Sequence, residues 1–253
     1  MKQVFVSDFD GIIYLPNAAV KLPPENVEMI RRYQDAGHLF GFCTSRPLGG
    51  LTPFINGLIA PDFYVTSNGA NILDGALNPI FRRGIDRDAA DAVIRALQSE
   101  KNCRLMLDVE GDVCVFARMD YPGFYRVISG ADDAPPGLIH QISIRTEGPA
   151  EAAAVQARIS ERCGGEVGVF LHGQQVDVCP TDCTRANGLS LLRDWLRKRG
   201  EEVRLYGIAS SKDDLALVEL FDVSYTFPTV SDIVWKKVTK TVPTVVHALL
   251  DSV

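Results

Sequence analysis

Val4-Phe5-Val6-Ser7-Asp8-Phe9-Asp10-Gly11 is an apolar run that stops abruptly at two carboxylates one residue apart, followed by a glycine. A short hydrophobic run of this kind reads as a buried strand, ended so that two acids sit where the backbone turns. Acids at that spacing suit a division of labour, one as nucleophile or metal ligand and the other as general acid and base. Holding both ionised side by side is costly, which implies a cation nearby. Two plainer readings are a solvated strand end and a calcium loop. The calcium loop fails, because it would need an oxygen ligand where Ile12 stands, and no helix precedes it.

Outward from this stretch, the first third of the chain alternates strand and helix. Residues 4–7 read as a strand and 24–37 as a helix, with proline near its start and Gly37 as its stop. Residues 39–43 and 63–66 read as further buried strands, an order that points to a parallel sheet. Beyond about residue 81 the texture changes. Residues 86–101 and 151–162 carry amphipathic helical patterns, and 103–109, 113–117, 139–145, 167–171 and 175–178 read as strands. Glu110-Gly111-Asp112 and His172-Gly173-Gln174 are hairpin turns between them. From Arg185 the parallel texture returns, with helices at 189–199, 213–221 and 244–252 and strands at 203–208 and 223–226. The expectation is an α/β fold, a parallel Rossmann-like core (1–82 plus 182–253) interrupted by an inserted α+β cap (83–181). Strand periodicity in the insert does not by itself single out pocket residues.

The 253 residues are enough for a core with an insert, and 46% hydrophobic with 23% charged content is ordinary globular composition. A net charge of −6 without a basic stripe argues against nucleic acid as a partner. An anionic ligand would therefore be held by a local cationic site. No apolar run is long enough to span a bilayer and no signal-peptide region stands at the start, so the expected location is cytoplasmic. The six cysteines show no metal-ligand spacing and read as reduced and structural; the four histidines give no ligand pattern.

Ligands of an open parallel sheet bind at the carboxyl ends of its strands. The first strand delivers Asp8 and Asp10. The second delivers Thr44, Ser45 and Arg46, a hydroxyl, amides and a guanidinium suited to phosphate. The third delivers Asn68 and Gly69, and the strand at 203–208 delivers Ser210, Ser211, Lys212, Asp213 and Asp214. Each set alone has a structural explanation as a helix cap, a turn or a complement to a helix dipole. Four sets at successive strand ends point to one phosphate and metal site.

On these residues the chain resembles the haloacid-dehalogenase-like phosphatases, in the branch with a large α/β cap that contains many sugar-phosphate phosphatases. The resemblance covers nearly the whole chain. It rests on Asp8-Phe9-Asp10-Gly11, Cys43-Thr44-Ser45-Arg46-Pro47, Ser67-Asn68-Gly69-Ala70 and the position of the insert. It implies Asp8 as nucleophile forming an aspartyl-phosphate, Asp10 as acid and base, and Thr44 as hydrogen-bond donor to the phosphoryl group. It also implies a small phosphorylated substrate and Mg²⁺ bridging Asp8, the Asp10 carbonyl and the phosphate.

The departures are informative. Ile12 stands where the family has threonine, and Ser45 where it has the glycine of Thr-Gly-Arg. Asn187-Gly188 replaces a Lys-Gly whose lysine steadies nucleophile and phosphate, leaving Arg185 or Lys212 as candidate cations. The metal-binding carboxylate of the last motif is Ser210, while Asp214 is retained. The expected set is then Asp8, Asp10 and Thr44 for catalysis, and Ser45, Arg46, Asn68, Gly69, Arg185, Asn187 and Lys212 for the substrate. For a weakly held Mg²⁺ it is Asp8, Asp10, Ser210, Asp213 and Asp214. The alternative is an impaired family member that binds a phosphorylated ligand or a protein partner without turnover. A receiver-like domain explains the acids but not the insert.

Overall fold

In the computed structural model, which describes residues 2–98, 100, 102–118, 123–163 and 165–253, the chain forms two sheets. The first five strands are β1 (Lys2–Ser7), β2 (Leu39–Cys43), β3 (Phe63–Thr66), β4 (Asn71–Asp74) and β5 (Pro79–Arg82). A second group follows: β6 (Arg104–Val109), β7 (Asp112–Val115), β8 (Arg126–Val127), β9 (Ile139–Arg145), β10 (Val167–His172) and β11 (Gln175–Pro180). The chain then returns to the first sheet with β12 (Val203–Ala209), β13 (Val223–Thr226) and β14 (Lys240–Thr241). That sheet runs β14-β13-β12-β1-β2-β3-β4-β5, parallel from β14 to β3, with the β4–β5 hairpin added antiparallel at one edge. The six-stranded sheet runs β10-β11-β9-β6-β7-β8.

Alternation along β1 explains the layering. Phe5 points to one face, where it meets Phe40, Tyr225 and Tyr33 of α1 (Pro24–Asp35). Val4 and Val6 point to the other and pack with Leu189, Leu192 and Leu196. Because β1 is buried on both faces, it carries no polar side chain before Ser7 except at its half-buried start, Lys2 and Gln3. In the second sheet the helices α3 (Arg87–Leu97) and α4 (Pro149–Cys163) cover one face only. Leu105, Leu107, Ile142, Ile144, Val176 and Val178 point into that core. Their alternating neighbours point the other way, towards the carboxyl ends of β1 and β2.

Several elements differ from the periodicity reading. A short helix α2 (Leu48–Ile55) lies in a stretch whose Gly49, Gly50 and Pro53 disguise it. The β4–β5 hairpin is made of four-residue strands too short to register as a pattern. Helix α5 (Arg185–Lys198) begins four residues before the expected 189, because the Thr184 hydroxyl caps it by accepting from the Asn187 N–H at 3.0 Å. The expected helix over 213–221 is a 3₁₀ turn, Lys212–Asp214, followed by the single turn α6 (Leu215–Val218). There a reciprocal capping box between Ser211 and Asp214 sets the start. The hairpin turn after Val109 is the two residues Glu110 and Gly111, with φ of 55° and 95°, and Asp112 already belongs to β7. Of the helix expected over 86–101, residues 87–97 are helical, while Ser99 and Lys101 lie outside the described residues. The remaining helices are α7 (Asp232–Trp235) and α8 (Val245–Asp251), the latter packed against α1. All six cysteines are free and buried, and no helix among the described residues is long and apolar enough to cross a membrane.

Candidate active site

Strand β1 lies between β12 and β2, so the residue after it is flanked by Thr44 and by the Ser210 loop. That residue is Asp8. Its Oδ1 accepts from the Phe9 N–H at 2.6 Å, and its Oδ2 accepts from Arg185 Nη1 at 3.0 Å. Arg185, 8% exposed, is the first residue of α5, and its Nη1 also stands 2.8 Å from Asp214 Oδ1. One guanidinium thus joins two carboxylates from two strand ends. Burial opposes the charge of Arg185, but Asp8 and Asp214 outweigh it and hold its pKa above the usual value. Burial is also the largest influence on Asp8 and pushes its carboxyl up to about 6, against the pull of Arg185 and the Thr44 hydroxyl. The side chain of Asp8 keeps 19% exposure, enough to receive a ligand.

Asp214 is 1% exposed, and its Oδ2 accepts from the Ser210 and Ser211 N–H groups at 2.8 and 2.9 Å. It shapes the loop as much as it faces the site. Asp10 is gripped through both oxygens by Arg46, Nε to Oδ2 at 2.5 Å and Nη2 to Oδ1 at 2.8 Å. Arg46 in turn donates to the Gly50 carbonyl and lies over the rings of Phe54, Phe9 and Tyr14. Thr44 is fully buried, and its hydroxyl accepts from the Arg46 N–H at 3.3 Å.

The other expected residues are placed differently. Ser45 lines the cavity beside Asp10, while its carbonyl accepts from Gln141 Nε2 at 3.1 Å. Asn68, expected to touch substrate, is buried between the two sheets, its Nδ2 3.1 Å from Gln141 Oε1 and 3.4 Å from Asp177 Oδ2. Gly69 is pressed against the Thr184 carbonyl and, with Asn187, borders a separate hollow. The Asn187 side chain donates to the Asp182 carbonyl at 2.7 Å, turned to its own loop. Lys212 is exposed to solvent, and Asp213 pairs with His172 Nδ1 at 2.9 Å. Of the two candidate cations for the missing lysine, Arg185 is the one that reaches Asp8.

A cavity of 670 Å³ opens between the two sheets, with Asp10, Ser45 and Arg46 on one wall. The opposite wall comes from the uncovered face of the six-stranded sheet, including Arg104, Met106, Ser143 and Arg145. Sequence reasoning missed these side chains: in Arg104-Leu105-Met106-Leu107 and Ser143-Ile144-Arg145 the alternation with core residues assigns them to the uncovered face, but it does not mark which part of that face lines a cavity.

The sequence profile of the haloacid dehalogenase-like hydrolases matches residues 5–246. The chain belongs to this family. No curated protein sequence matches it, but solved members of the haloacid dehalogenase superfamily share its fold. A haloacid dehalogenase-like hydrolase from Bacteroides thetaiotaomicron has a TM-score of 0.83 at 16% identity, covering 99% of each chain. One from B. subtilis has 0.82 at 13% identity, covering the whole of both. A sugar phosphatase of subclass IIB has 0.75 at 13% identity, over 100% of this chain and 96% of that one. At these identities the likeness is one of fold.

Haloacid dehalogenase-like hydrolases generally use Mg²⁺, and the residues here do not fit a resident ion. The carboxylate of Asp10 is taken by Arg46, that of Asp213 by His172, and those of Asp8 and Asp214 are bridged by Arg185. Position 210 offers a hydroxyl instead of a charge. Among the described residues no three acidic, histidine or cysteine side chains are grouped to hold a metal. A hard divalent cation needs several oxygens free of such partners.

Proposed function

We propose that this chain hydrolyses a small phosphate monoester at Asp8, with residues 83–181 acting as a cap over the site. The observation that carries this reading is the Asp8 carboxylate at the end of the central strand, oriented by Arg185 and partly open to solvent. An ionised Asp8 oxygen attacks phosphorus, forming an aspartyl-phosphate as the bond to the ester oxygen breaks. The leaving oxygen takes a proton from the carboxylic acid of Asp10. Water then attacks the same phosphorus, Asp10 takes its proton, and phosphate departs from Asp8. Incoming phosphoryl oxygens can replace Asp10 as the partner of Arg46, which frees Asp10 for its proton transfers. Because Asp8 must be ionised, activity rises as pH passes through about 6.

A second reading is ligand binding without turnover. The grip of Arg46 on Asp10 and the loss of the carboxylate at position 210 favour it. The experiment that separates the two is a phosphate-release screen over phosphorylated metabolites, with Mg²⁺ and with a chelator, on the wild type and Asp8→Asn. Hydrolysis is expected in the wild type, unchanged by the chelator, and absent from a folded Asp8→Asn protein. Release by that variant would exclude Asp8 as nucleophile. Binding of the esters with no release by the wild type would establish the second reading.

A further inference from the structure

We infer that the cavity is built for a phosphate ester carrying a second anionic group, and that Arg104, Arg118 and Arg145 receive it. This rests on the phosphoester reading of Asp8 given above. All three line the cavity that also contains Asp10 and Arg46. Arg46 is neutralised by Asp10, whereas the other three arginines form no hydrogen bond or ion pair with any described residue. Among the described residues the cavity therefore holds three guanidinium groups without an ionic partner, in a chain whose net charge is −6. General basicity does not explain them.

All three are exposed to solvent, and two of them face each other. Arg104 and Arg145 are direct partners in the antiparallel β6–β9 pair, where like charges repel. The neighbours Leu105 and Ile144 point to the helix-covered core, so alternation turns both arginines to the cavity side. A ligand with a neutral tail would leave this repulsion in place. A phosphate or carboxylate on the tail would relieve it, and the planar fork of arginine matches either group through paired hydrogen bonds. The cavity volume is that of a small-metabolite site.

The test is calorimetric titration at low salt with glucose 6-phosphate, 6-phosphogluconate and glucose 1,6-bisphosphate. The latter two each add a second anion, a carboxylate or a phosphate. At least one is expected to bind about tenfold tighter than glucose 6-phosphate or more, and the tighter of the two identifies the group. Arg104→Gln and Arg145→Gln should each remove most of that gain while keeping affinity for glucose 6-phosphate within about twofold. That retained binding also reports that the variants are folded. Equal affinity for all three probes, or a gain that survives both substitutions, overturns the inference and leaves the phosphoester reading standing. If gluconate binds as tightly as 6-phosphogluconate, and both depend on the arginines, the phosphoester reading falls and the cationic site remains. No binding by any phosphorylated probe overturns both.

Discussion

A single guanidinium ties the end of β1 to the end of β12. Without Arg185, the Asp8 and Asp214 carboxylates would face each other across a site with 19% and 1% exposure and no cation between them. Arg185→Met is expected to cost about 3–5 kcal/mol, the usual penalty for stranding a buried charge. Arg185→Lys should recover part of it; chemical denaturation of both variants checks this. Asp8 itself favours the protonated folded state, since its carboxyl lies near 6 in place of 3.8. Its contribution to stability is therefore full below the unfolded value and lost as pH rises through about 6. The melting temperature of Asp8→Asn relative to the wild type should accordingly climb between about pH 4 and about pH 6 and level off above that, and a flat difference across that range would contradict the raised value. Asp8, Asp10 and Thr44 were legible as site candidates because Asp8 and Thr44 directly follow buried strands and Asp10 stands two residues beyond Asp8. Arg185 was legible only as one of two candidates beside Lys212, because motif spacing points to position 187 and sequence does not show how far a long side chain at the first turn of a helix extends. The commitments of Asn68 and Asp213 to the second sheet depend on partners more than forty residues away, at Gln141 and His172.

Helix α5 holds Arg185 in place by lying unusually close to the turn after β3. A Cβ on Gly188 would come within 2.7 Å of Val65 Cγ1 and 2.9 Å of Gly69 Cα. Gly188→Ala must therefore push the helix away from the sheet, at a cost of about 1–3 kcal/mol. The prediction is a protein that is folded but destabilised, with phosphate-ester turnover reduced although the cavity walls are untouched. Paired denaturation and turnover measurements check it, and wild-type values in both would mean the contact yields without moving Arg185. The long regular elements could be read from periodicity, as with β1, β9 and α1. Elements whose form depends on capping or on edge pairing could not. Thr184 begins α5 through one hydroxyl, and the β4–β5 hairpin draws its order from β3.

The two sheets meet through a buried polar seam. Ser67 donates to Asp108, Asn68 to Gln141 and Asp177, and Gln141 to the Ser45 carbonyl. Asp177 is fully buried, and burial raises its pKa, so its partners matter. Asn68 also occupies a left-handed conformation, φ 54°, that asparagine tolerates better than most residues. Asn68→Ala should destabilise by about 1–3 kcal/mol through the lost hydrogen bonds and the strained backbone. The amides of β9 and β11 should then exchange hydrogen faster than those of β1 and β2, a difference that mass spectrometry can resolve. Uniform acceleration throughout would mean the seam and the core open together. The sulfur of Cys179 lies inside this seam, against the Ser67 carbonyl and Gln141 Oε1, while Cys43 is enclosed in the central sheet beside the Arg185 carbonyl. Both thiols are shut away from reagents in the native state, so a small alkylating agent reacts with each only when its surroundings open. The order in which the two become modified would report, without any engineered label, whether the sheets part before the core unfolds.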